Sequence, residues 1–189
     1  LGQSELSIAG SLCALLMAFI AFGLYMLIRH KDLTSSLKQM LFVSVLLVIA
    51  DMLILVTISI DMGFTPVLLA VLLIALMANE KAAMLASLPM AVISGVVSGA
   101  LGSIQSSPMA IMLTVEIISL TATYALHMRK TRSSTVIAAA LAGIAGVITF
   151  ASVMMAGGEL LITYWRSLLW LLGSCIMCGI LTVGLMPVF

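Results

Sequence analysis

Residues Val136–Ala156 read VIAAALAGIAGVITFASVMMA, a run without a single charge. Arg129-Lys130-Thr131-Arg132 precedes it and Gly157-Gly158-Glu159 follows it. A stretch of roughly 20 apolar residues is what an α-helix needs to cross the hydrocarbon core of a bilayer. The rest of the chain repeats this design. Apolar runs extend roughly over Leu6–Ile28, Met40–Ile60, Pro66–Ala78, Ala82–Ile104, Met109–His127 and Leu168–Phe189, separated by short polar or basic turns. The third is short for a span. It suits a helix with little tilt or a locally thin bilayer, and a six-span layout with this run re-entrant is the competing reading.

The composition agrees. Of 189 residues, 63% are hydrophobic and 8% charged, and the mean hydropathy is +1.34. Soluble domains carry about 25% charged residues, so this chain cannot cover a water-facing surface. Backbone polar groups in lipid must be satisfied within a helix or a closed barrel. Long unbroken runs exclude the alternating strands of a barrel. The expected fold is an all-α membrane protein, a single bundle of about seven transmembrane helices occupying residues 1–189, with the lipid bilayer as its first partner.

Orientation follows from the basic residues. Arg29, Lys31, Lys38, Lys81, Arg129, Lys130 and Arg132 fall in the turns after the first, third and fifth runs. Only Arg166 falls on the other side. The positive-inside rule therefore puts the N-terminus outside and the C-terminus in the cytoplasm. The six-span layout would place Lys81 outside and spoil this asymmetry. Tyr164, Trp165 and Trp170 gather at the outer end of the last run, where an interfacial aromatic anchor is expected.

Two carboxylates lie within spans, Asp51 and Glu116. Charge in hydrocarbon is costly, so both are expected to face a bundle interior or a wet cavity. Glu116, Ser119, Thr123 and His127 share one helical face, and Ser44, Asp51 and Ser59 roughly share another. One reading is a ligand or proton site built from Asp51, Glu116, Ser119 and Thr123. The other, favoured, is polar glue between helices. Gly95 with Gly99, Ala139 with Gly143, and Ala142 with Gly146 sit at helix-packing spacings. Packing within one bundle is favoured over a homodimer seam. Pro89 removes a backbone donor from the fourth run and marks a kink or hinge.

No catalytic constellation and no metal site are legible. Neither His30 nor His127 is followed by Asp. GxSxG, HExxH and glycine-rich phosphate loops are missing. Cys175 and Cys178 form a CxxC inside a span, with no further ligand in view, and read as small apolar packing. No cofactor is called for, and no basic-aromatic tract suggests nucleic acid. The chain starts at Leu1 rather than Met, so a piece of a longer or processed protein is expected.

Arg129–Arg132, the glycine-bearing run with Gly143 and Gly146, and the close Gly179-Ile-Leu-Thr-Val-Gly184-Leu-Met-Pro187-Val-Phe189 make the C-terminal third one that resembles the membrane region of the seven-transmembrane HD receptors, the PgpH-like cyclic di-AMP phosphodiesterases of bacteria. That close is similar to the family's GhhxxGhhPhhE, where h is apolar. The run from Pro66 into Asn79-Glu80-Lys81 is also similar to a family segment. The resemblance implies an extracytoplasmic domain before the first span and a cytoplasmic HD hydrolase domain after the last. The family's metal-binding His and Asp map onto nothing here. The resemblance thus implies a sensor or transducer in the bacterial inner membrane, relaying a signal to a metal-dependent phosphodiesterase domain outside this chain. The alternative is a small transporter component that binds a solute within the bundle.

Overall fold

The computed structural model describes residues 37–58, 66–77, 79–100, 108–128, 132–158 and 164–185. Six α-helices fill these ranges: α1 Leu37–Ile58, α2 Val67–Met77, α3 Glu80–Ala100, α4 Pro108–Met128, α5 Arg132–Ala156 and α6 Trp165–Leu185. Each falls on one of the expected spans. The first expected span, residues 6–28, lies outside the described residues. α3, α4, α5 and α6 are long and apolar enough to cross a membrane.

α2 is different. Its 11 residues rise about 16 Å, half of a hydrocarbon core of about 30 Å. Eight of them are buried, on all sides of the helix. It packs against α1, α3, α4 and α6. A helix apolar all round belongs in a bundle interior. Burial accounts for its shortness without a thinned bilayer.

α2 passes into α3 through a two-sided cap. Asn79 N donates to Ile74 O at 3.2 Å, closing α2. Asn79 Oδ1 accepts from Lys81 N at 3.3 Å, and Asn79 O accepts from Ala83 N at 3.0 Å. An asparagine at this position satisfies donors that the first turn leaves orphaned. Glu80 follows in that first turn, where the helix dipole favours a negative charge.

α3, α4, α5 and α6 pack each against the next, in alternating directions. The start of α3 meets the end of α4 through Glu80 and His127. The start of α5 meets the end of α6, where Gly179 lies against Thr135, Val136 and Ala139. The first turn of α3, the last of α4, the first of α5 and the last of α6 therefore share one end of the bundle. Near the other end, Tyr164 departs from the expected anchor. It is buried and packs edge-on against Phe150, with ring centroids 6.2 Å apart. Trp165 and Trp170 remain exposed.

Candidate functional site

The polar residues of α4 divide by what their atoms touch. Ser119 Oγ donates to Val115 O at 2.8 Å, and Thr123 Oγ1 to Ser119 O at 2.8 Å. Both hydroxyls are buried and satisfied by their own helix. Such back-bonding hides a hydroxyl at little cost. Glu116 reaches across to α3 instead, where Ser87 Oγ lies 3.1 Å from its Oε2. The same Ser87 oxygen is 2.6 Å from Met84 O. A second tie closes the hairpin's end, with His127 Nδ1 2.5 Å from Glu80 Oε2.

Asp51 belongs elsewhere. Its helix, α1, packs on α2 and α3, and shares no such interface with α4. Asp51 is half-buried, and its Oδ1 has no hydrogen-bond partner among the described residues. The four residues Asp51, Glu116, Ser119 and Thr123 are thus not gathered into one pocket. Glu116 has an interhelical partner, Ser119 and Thr123 have intrahelical ones, and Asp51 stands apart. Ser87, Glu80 and the Glu80–His127 contact were not legible as site features. Serine on a membrane helix reads as packing, and only the α3–α4 register brings it to Glu116.

The glycines serve packing inside the bundle. A Cβ on Gly146 would lie 2.5 Å from Ile118 Cγ1, and one on Gly143 would lie 3.0 Å from Cys175 Cβ. Gly95 faces Met112 and Pro108, and Gly99 faces Pro108. All four contacts are within the chain. α3 runs unbroken through Pro89, which is buried. Cys175 and Cys178 are buried free thiols. Among the described residues, no three His, Cys, Asp or Glu side chains converge as a metal site would require.

A bundle of apolar helices tied by a few interhelical polar contacts is the build of a multi-pass membrane domain. The chain belongs to the family described as 7TM receptor with intracellular HD hydrolase, whose model matches residues 6–189. No curated protein and no solved structure matches it.

Proposed function

We propose that this chain is the transmembrane sensor and transducer of a bacterial receptor, relaying a signal to a cytoplasmic HD domain that hydrolyses cyclic di-AMP. The family match over nearly the whole chain carries this reading. In this layout residues 6–28 supply the first of seven spans, the N-terminus is outside and the C-terminus is in the cytoplasm of an inner membrane. The helix directions support it. Lys81, His127 and the start of α5 share the end of the bundle at which α6 finishes, so the basic turns and the exit toward a hydrolase domain face the same compartment. α6 is the output rod. Pro89 and the glycines at the α5–α6 interface are the places where two arrangements, differing by a few kcal/mol, interconvert.

The test joins the chain to the sequence that follows Phe189 in its own coding frame. The joined protein should hydrolyse cyclic di-AMP with a rate that depends on the membrane part, and residues 1–189 alone should not. Hydrolysis by residues 1–189 alone, or a following frame with no HD region, would overturn the assignment.

A further inference from the structure

The flank of the α3–α4 hairpin carries a groove of about 360 Å³ lined by Met84, Leu120, Thr121 and Tyr124. The two interhelical ties bracket it. Ser87–Glu116 lies one turn toward the middle of the bundle, and Glu80–His127 one turn toward its charged end. Tyr124 is 65% exposed and Leu120 is exposed beside it, so the groove opens sideways, where a membrane helix meets lipid. Its walls are hydrocarbon and the Met84 thioether, apart from two hydroxyls. Thr121, one small side chain among larger ones, leaves the space.

The charged end of the groove presents an exposed lysine and an exposed histidine. Lys81 sits on the face of α3 that holds Met84 three residues on. It is exposed and makes no ion pair among the described residues. His127 is 69% exposed. Among the described residues the carboxylate at this end is Glu80, which is 15% exposed and hydrogen-bonded to His127 Nδ1. Arg129, Lys130 and Arg132 come next in the sequence. A lateral groove with apolar walls and an uncompensated cation at the level of the lipid headgroups complements one kind of amphiphile.

We propose that this groove binds an anionic phospholipid. One acyl chain lies between α3 and α4 over Met84, Leu120 and Tyr124, and the phosphate rests against Lys81 and His127. A zwitterionic lipid fits the walls equally well, but its ammonium group offsets the attraction of Lys81. The proposal stands apart from the relay reading and can fail without it.

Native mass spectrometry of the full chain, offered equal phosphatidylglycerol and phosphatidylcholine, tests it. One phosphatidylglycerol should be retained in preference. Lys81→Gln should lower that preference about fivefold, and Lys81→Arg should keep it. Thr121→Phe fills the groove and leaves every charge in place, and it should also release the lipid. Ile148→Phe, on the outer face of α5, controls for added bulk and should retain it. Equal retention of the two lipids overturns the proposal. So does phosphatidylglycerol binding that survives Thr121→Phe, which is adsorption to a basic surface, or a dimer that holds no lipid.

Discussion

Ser87 Oγ joins α3 to α4 by lying 3.1 Å from Glu116 Oε2 while sitting 2.6 Å from Met84 O in its own helix. A hydroxyl has one proton to donate, so the two contacts compete for it. An amide at position 116 removes the competition. Its N–H can donate to Ser87 Oγ, and the hydroxyl proton then serves Met84 O.

Glu116→Gln is therefore expected to leave stability within about 0.5 kcal/mol of the parent. Ser87→Ala removes the interhelical contact and should cost about 0.6 kcal/mol, the average for such bonds between membrane helices. Thermal unfolding of both variants and of the double variant in one detergent measures this. A loss of several kcal/mol for Glu116→Gln would mean that the carboxylate itself is required.

Gly179 separates close packing from helix propensity. A Cβ there would lie 2.6 Å from Ala139 Cβ and 3.4 Å from Val136 Cα. Neither atom can rotate out of the way. Gly179→Ala should destabilise the bundle by about 1–3 kcal/mol. Gly173, on the same helix, has nothing within 4 Å of its Cβ position. Gly173→Ala should be neutral or stabilising by up to about 1 kcal/mol. Equal effects of the two substitutions on the unfolding midpoint would refute the α5–α6 packing.

The proposed topology is readable by cysteine labelling. Cys175 and Cys178 are buried, and Cys13→Ser removes the remaining thiol. Lys81→Cys and Ala156→Cys place reporters at exposed positions on opposite ends of the bundle. In cells, an impermeant maleimide should reach Ala156→Cys directly and Lys81→Cys only after lysis. Labelling of both from outside would sink the layout.

The helices were legible because lipid enforces a simple rule. Any apolar stretch of the right length must satisfy its own backbone, and α1 and α3–α6 lie where the hydropathy puts them. α2 was legible as short but not as central. Its position depends on four neighbours, and no local pattern records that. The candidate site was legible residue by residue and not as an assembly. Helical spacing puts Glu116, Ser119 and Thr123 on one face, but it could not tell that two of the three bond to their own backbone. The partner on α3 is fixed by register, which the Glu80–His127 and Gly95–Met112 contacts set and the sequence does not state. Tyr164 misled for the same reason, since burial against Phe150 is a matter of where α5 ends relative to α6.

Asp51 is the polar residue whose setting makes the sharpest stability forecast. Its Oδ1 is buried without a hydrogen-bond partner among the described residues, while Val48, Met52 and Val56 around it present an apolar surface. An unsatisfied buried polar group costs about 1–3 kcal/mol. Asp51→Leu removes that cost and adds apolar contact, so it should raise the unfolding midpoint. Asp51→Asn still carries polar atoms into the same place and should give less of the gain. The comparison isolates the polar group from side-chain bulk. If Asp51→Leu lowers stability instead, the carboxyl has a partner that holds the bundle together, and α1 is anchored through it.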